Sequence, residues 1–299
     1  MKAVVQTIPA EIVRSRSRFS DFVDLTKPRL NFLVLVTTLA GFYLASRDSF
    51  NVVLMVHTLL GTALVAGGAS ALNQLMERDA DAKMRRTEDR PLPAGRIQPH
   101  EALWFGLGMS LTGMMYLAGA VNLLTSQLAT MTWLSYLFIY TPMKKESPFN
   151  TVVGAIPGAI PPMLGWTAVR DHISVEALVL FGVLFLWQFP HFLAIAWMYR
   201  EDYARGEFKM LPSIDADGTK TARYSAGLTV ALVLVSLLPA ALGFTGTTYF
   251  IGALVLGLAF LTLSVCSLLF GVDKYARRVF FASVIYLPLL LALMTLNKR

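Results

Sequence analysis

Apolar residues along this chain gather in blocks of about 17 to 24, the length at which a helix crosses the hydrocarbon core of a bilayer. The blocks run near Leu30 to Ala45, Val52 to Met76, Ala102 to Val121, Leu124 to Thr141, Thr151 to Val169, Val175 to Tyr199, Ala222 to Phe244, Tyr249 to Phe270 and Val279 to Leu296. Short polar breaks separate them. The pattern predicts an all-α polytopic membrane protein with about nine transmembrane helices. The first block follows a polar stretch with Arg14, Arg16 and Arg18, lacks a cleavage site and precedes many further spans, so it reads as a retained helix and not a signal peptide. Residues 1–29 are read as a cytoplasmic N-terminal segment and residues 30–299 as a single transmembrane domain.

Composition agrees. The 299 residues are 55% hydrophobic and 15% charged, with a mean hydropathy of +0.57, which is more apolar surface than one soluble core hides. The single cysteine, Cys266, sits inside a span, so there is no disulfide framework and no cysteine metal site. Charge then orients the chain, because Lys and Arg are retained on the cytoplasmic side. With the N-terminus inside, all of the 26 basic residues except Arg47, Arg170, Lys298 and Arg299 fall on that side. The expected setting is the inner membrane of a bacterium, with the C-terminus outside. The net charge of +7 follows from this asymmetry and requires no nucleic-acid partner.

Two inner connections carry more than orienting charge. The second runs off the end of its span with Asn73, Glu77 and Asp81 spaced four apart, one stripe on a continued helix. Asp79 falls on the opposite face and joins the stripe only if the helix loosens after Glu77. Three oxygen ligands on a stripe suit Mg²⁺, which is commonly held by one or two carboxylates plus the oxygens of a phosphate substrate. The bland reading is a solvated loop whose acids balance its bases. Against it stands Asn73, still within the apolar run and behind the small residues Ala66 to Ala71, where a polar side chain faces a bundle interior or cavity.

The sixth connection also begins in acid, at Glu201 and Asp202, and two such clusters at neighbouring span ends could bracket one metal-bound diphosphate. His191 lies inside the sixth span beside Pro190, among Trp187, Phe189, Trp197 and Tyr199. It reads either as a functional group or as a neutral imidazole bonded to a neighbouring helix. Three prolines and two glycines from Asn150 to Pro162 should break or kink span five, as happens where backbone lines a cavity.

Together these residues resemble the UbiA-type intramembrane prenyltransferases over nearly the whole chain. That family's first acidic motif, an Asn followed by acids at four-residue spacing, is matched by Asn73, Glu77 and Asp81. The branch whose acceptor is haem is resembled in Asn73 through Asp79, Asp81, Met84, Arg86 and Thr87, followed by Arg90-Pro91-Leu92. Tyr140-Thr141-Pro142 with Lys144-Lys145, Asn150 to Gly158, and Trp187-Gln188 with Pro190-His191-Phe192 point the same way. Many relatives carry a second motif of two Asp four apart; here the position four before Asp202 is Met198.

The resemblance implies a UbiA-type bundle with a central cavity open to the cytoplasmic side. It implies farnesyl diphosphate and haem b as substrates, Mg²⁺ as cofactor, and haem O and diphosphate as products after water addition. Asn73, Glu77, Asp81 and Asp202 would carry catalysis by holding Mg²⁺, with Asp79 as a further ligand. Glu201, Asp215 or Asp217 would supply what Met198 does not. Arg86, Arg90, Lys144, Lys145 and Lys209 would clamp the diphosphate, Tyr140, Trp197 or Tyr199 would face the allylic cation, and His191 would contact haem. Beyond the substrates and the lipid bilayer, the implied partners are a haem A synthase or terminal-oxidase assembly factors. Two rivals remain at this stage: a phenolic or quinone-precursor acceptor, and a transporter, although the acids crowd the span ends and no repeat of the halves is evident.

Overall fold

The computed structural model describes residues 17–46 and 49–299. Lys2, Arg14, Arg16 and Arg47, counted above in the charge asymmetry, lie outside the described residues. The elements are α1 (Arg18–Leu25), α2 (Pro28–Ala45), α3 (Val52–Met76), α4 (Arg78–Asp81), α5 (Pro99–Ala120), α6 (Leu123–Leu134), a π-helical stretch (Ser135–Tyr140) and α7 (Thr141–Glu146). They continue as α8 (Asn150–Ala159), α9 (Pro161–Arg170), α10 (Val175–Met198), α11 (Arg200–Arg205), α12 (Leu211–Ile214), α13 (Thr219–Ala241), α14 (Thr247–Phe270) and α15 (Val272–Leu296). Among the described residues, eight helical segments are long and apolar enough to cross a membrane, α8 and α9 counting as one. The remaining expected span is α6 prolonged by the π-helical stretch.

The ends explain themselves locally. Asn51 and Asn122 cap α3 and α6, each side-chain oxygen accepting a backbone N–H of the first turn. Gln98 and Glu101 form a reciprocal capping box at α5. Helix α15 starts well before the apolar block, because its first turns carry Asp273, Lys274, Arg277 and Arg278 out past the hydrocarbon. The prolines of span five act where expected. Helix α8 stops at Ala159, and α9 restarts at Pro161-Pro162 after a single intervening residue.

Lipid tails are as apolar as leucine, so these helices are held by close packing. Gly68 of α3 meets α5 so tightly that a Cβ there would lie 2.3 Å from the Ser110 hydroxyl and 2.6 Å from the Gly106 carbonyl oxygen. A Cβ on Gly165 of α9 would lie 1.9 Å from the Thr38 carbonyl oxygen of α2. The other half of the bundle packs α10, α13, α14 and α15 around Leu180, Leu232, Phe260, Tyr286 and Leu290. There Ser236 ties three helices together, its carbonyl accepting from Tyr249 at 2.7 Å and its hydroxyl meeting that of Tyr286 at 2.8 Å. Helix α10 joins the halves, since the Gln188 amide donates across to the Ala155 carbonyl of α8 at 3.1 Å.

Candidate active site

The acidic stripe survives an interruption of its helix. Helix α3 ends at Met76, and Glu77 turns the chain at φ −97° and ψ 3° into the short α4. Across that turn the Glu77 N–H still donates to the Asn73 carbonyl at 3.0 Å and the Asp81 N–H to the Glu77 carbonyl at 2.8 Å. The four-residue repeat is preserved, so Asn73, Glu77 and Asp81, all nearly fully buried, line one cavity.

Each stripe residue holds one cation from a different element. Lys27 donates to Asn73 Oδ1 at 2.7 Å, Lys144 to Glu77 Oε1 at 2.6 Å, and Arg90 to Asp81 Oδ2 at 2.7 Å. Asn73 in turn donates its amide to the Thr141 hydroxyl at 3.1 Å. Lys27 is presented by unusual backbone, a left-handed residue with φ 50° immediately before Pro28. Such a conformation is uncommon for a residue with a side chain and clusters at functional sites.

Lys144 owes its place to the π-helical stretch. The Thr141 N–H bonds back to the Tyr136 carbonyl, the wide i to i−5 turn, and the Thr141 hydroxyl donates to the same oxygen at 2.8 Å. Tyr136 and Tyr140 then both line the cavity, their centroids 5.6 Å apart, with the Lys144 ammonium 4.6 Å from the Tyr140 ring centroid. Gly154 makes room: a Cβ there would lie 2.4 Å from that ring.

Burial dominates the electrostatics of the charged end. It brings the Lys27 ammonium down to about 7, with Arg90 adding to the effect. Burial also works to raise Glu77, but the charges of Lys144 and Lys27 and the hydrogen bonds from Lys144 and Asn73 hold it below the usual carboxylate value. At Asp81 burial outweighs Arg90 and the carboxyl lies above its usual value. Burial lowers Lys144 in turn, and Glu77, Tyr140 and Tyr136 together more than reverse this.

The cavity encloses about 310 Å³, within the range of ligand pockets, and passes from this charged end into an apolar chamber walled by α3, α6, α8 and α9. Its oxygens fit a hard divalent cation. Asp81 Oδ1 is buried with no partner, and Glu77 and the Asn73 amide stand on the same wall. Two carboxylates and an amide make an incomplete shell of the kind Mg²⁺ completes with water and phosphate oxygens. Among the described residues no three His, Cys, Asp or Glu side chains close on one point, so this shell carries no third acid.

Of the other expected site residues, Arg86, Arg90, Tyr140 and Lys144 line the cavity. Asp79 does not: even with the helix loosened at Glu77, its side chain is 79% exposed and paired with Arg78. Asp202 is also off the lining. Helix α10 ends at Met198, Tyr199 turns the chain, and in α11 Asp202 takes Arg205 at 2.9 Å. Glu201 points to solvent, while Asp215 and Asp217 are spent on the start of α13, binding Thr221 and Thr219. The two acidic clusters therefore do not bracket one site.

Trp197 faces away as well, donating to Asp273 at 2.9 Å and packing on Ala222, Val272 and Ala276. Tyr199 stays outside the lining under the Arg86 guanidinium. Lys145 and Lys209 are exposed, and Lys209 contributes only backbone, its N–H donating to the Lys144 carbonyl. His191 faces α15, bonded to the Ser283 hydroxyl at 2.8 Å and stacked between Trp187 and Phe280. Its neighbours Gln188 and Phe192 line the cavity instead.

Sequence reasoning gave no site role to Lys27, Tyr136, Tyr203 or Gln188, although Gln188 stands in the motif around His191. Lys27 looked like one more orienting base. Tyr203 was within reach of notice, one turn beyond Tyr199, and receives Arg86 on its ring face.

The sequence matches the model of the UbiA prenyltransferase family over residues 34–287. It is 46% identical to a protein of Solibacter usitatus named protoheme IX farnesyltransferase, across 93% of this chain and 98% of that one. A protein of the same name from Koribacter versatilis is 42% identical, across 100% and 99%. A solved structure described as digeranylgeranylglyceryl phosphate synthase superposes with a TM-score of 0.79 at 17% identity, covering 93% of this chain and 98% of its own. A UbiA homologue from Archaeoglobus fulgidus, bound to GPP and Mg²⁺, does so with a TM-score of 0.64 at 14% identity, covering 92% and 99%. At those identities the structural likeness speaks to the fold.

Proposed function

The chain belongs to the UbiA prenyltransferase family, and on that premise we propose that it transfers the farnesyl group of farnesyl diphosphate to a vinyl group of haem b. Water adds in the same reaction, and haem O and diphosphate leave. The observation that carries this is the pairing of Asn73, Glu77 and Asp81 with Lys27, Lys144 and Arg90 at the mouth of an apolar chamber. Oxygens for a cation, cations for a diphosphate and a dry slot for a hydrocarbon tail stand in sequence.

The chemistry makes use of each part. A vinyl carbon is a weak nucleophile, so the allylic carbon–oxygen bond must break far ahead of carbon–carbon bond formation. The electron pair goes to the departing diphosphate, whose growing charge Lys27, Lys144, Arg86 and Arg90 are placed to meet. Mg²⁺ held by Asp81, Glu77 and Asn73 would supply further charge at the same oxygens. Tyr136 and Tyr140 offer π faces to the allylic cation. Attack through the terminal vinyl carbon leaves a cation next to the porphyrin ring; water takes it and loses a proton, giving the hydroxyethyl group.

The protein is a multi-pass membrane protein, and we place its charged end and N-terminus in the cytoplasm of a bacterial inner membrane. A lipid-soluble product suits passage to a haem A synthase or terminal-oxidase assembly factor in that membrane. The test is diphosphate release from farnesyl diphosphate by the protein in lipid. Release is expected to require both haem b and Mg²⁺. Equal release with a phenolic acceptor in place of haem would overturn the acceptor assignment.

A further inference from the structure

The cavity has a closed inner end. The lining residues farthest along their helices from the charged end are Thr62 on α3, Ala129 on α6 and Leu164 on α9. Ala129 and Leu164, with Val65 of the lining, pack against Leu117 and Ile160 in one cluster, every member buried, with Leu128 and Phe181 pressed against it. Side chains of four helices, α3, α5, α6 and α9, meet in or at the edge of that cluster.

The depth can be read from the helix that runs its full length. Thr62 on α3 and Glu77, the residue just past its end, mark the two ends of the lined stretch, about 22 Å apart at the α-helical rise. A bound diphosphate would take about 6 Å of this, the step from Glu77 to Asn73. Each isoprene unit adds four carbon–carbon bonds of about 1.5 Å in a zigzag, so a farnesyl chain extends about 15 Å and a geranylgeranyl chain about 20 Å. Diphosphate plus three units fills the depth, and a fourth unit has nowhere to go.

We propose that the floor formed by Thr62, Ala129 and Leu164 is the gauge that selects a C15 prenyl diphosphate over longer ones. This rests on the prenyltransferase reading and adds the residues that measure the donor. Ala129 is 1% exposed and small where a larger side chain would project into the chamber, and Leu164 is 3% exposed and large where a smaller one would deepen it.

The test is direct binding of non-reacting thiolodiphosphate analogues of the C10, C15 and C20 chains to the purified protein with Mg²⁺, which needs no acceptor and no turnover. In Ala129→Leu, and separately in Thr62→Leu, C15 affinity is expected to fall at least about tenfold while C10 affinity holds, the penalty of misfilling an apolar pocket. In Leu164→Ala, C20 affinity is expected to rise about tenfold relative to C15. Unchanged inorganic diphosphate binding reports that each variant is folded with its charged end intact. An unaltered C10, C15 and C20 order in all three variants would overturn the gauge, as it would if the tail left sideways into lipid between α2 and α10. Failure of the unmodified protein to bind any of the three analogues would overturn the donor assignment and the gauge with it.

Discussion

Asp81 keeps one carboxylate oxygen on Arg90 and the other without a partner, in a wall that also holds Glu77 and Asn73. Replacing it with Asn preserves volume and removes the charge a divalent cation would meet. Turnover of Asp81→Asn is expected to fall at least about 100-fold, the cost of removing one electrostatic contact to the transition state. Size-exclusion chromatography of the purified variant should still show folded protein. Lys27→Met should weaken farnesyl diphosphate binding about tenfold, a single charge-assisted contact, as read by the thiolodiphosphate titration. His191→Ala should leave that titration unchanged and lower thermal stability, since it loses a bond to Ser283 worth about 1 kcal/mol. A large loss of prenyl diphosphate affinity in this variant would contradict its placement against α15. The stripe was legible in the sequence because hydrogen bonds at four-residue spacing carry it through the turn at Glu77. Asp202 and Tyr199 were not, because the chain turns at Tyr199 into a new helix, and no spacing rule forecasts which way such a turn points; Trp197 lies before it, and only the packing of α10 on Ala222, Val272 and Ala276 sets its direction. Lys27 was hidden for another reason: a base at a span end has an orienting role that explains it without a site.

Among the elements, the stretch from Leu123 to Glu146 shows the clearest gap between pattern and structure. Its apolar block marks a span, but nothing in the block signals the π-helical turn between Ser135 and Tyr140, which inserts one residue and turns Lys144 toward Glu77. Deleting Phe138, 60% exposed on the outer face, should remove the extra residue and let an α-helix carry Tyr140 and Lys144 in nearly their present direction. The deletion is expected to leave kcat/KM for farnesyl diphosphate within about tenfold. A loss of about 100-fold or more, the cost of misplaced catalytic groups, would show that the wide turn itself shapes the site. Span five is the opposite case. Its prolines announced a break, and the break falls between Ala159 and Pro161, on the cavity wall, where Gly154 and Gly158 admit the Tyr140 ring and the Gln188 amide.

At the scale of the whole molecule, the apolar blocks and the one-sided charge were enough for an all-helical membrane bundle, because a bilayer leaves a chain of this composition little else to form. Which helices touch was not legible, since glycine pairs such as Gly68 with Gly106 become meaningful only once the helices are placed. The bundle brings bases from three separate segments, at Lys27, Arg90 and Lys144, onto acids and an amide from one, and sets them above an apolar chamber with a floor. On the proposed reading, that arrangement ionises an allylic diphosphate and hands its hydrocarbon to an acceptor. The most direct measurement is the mass of haem extracted after incubating the purified protein in lipid with haem b, farnesyl diphosphate and Mg²⁺. A haem heavier by one farnesyl group plus one hydroxyl group is expected, absent when a chelator removes the metal and absent in Asp81→Asn. Haem recovered at its original mass from folded protein that consumes farnesyl diphosphate would contradict the assignment.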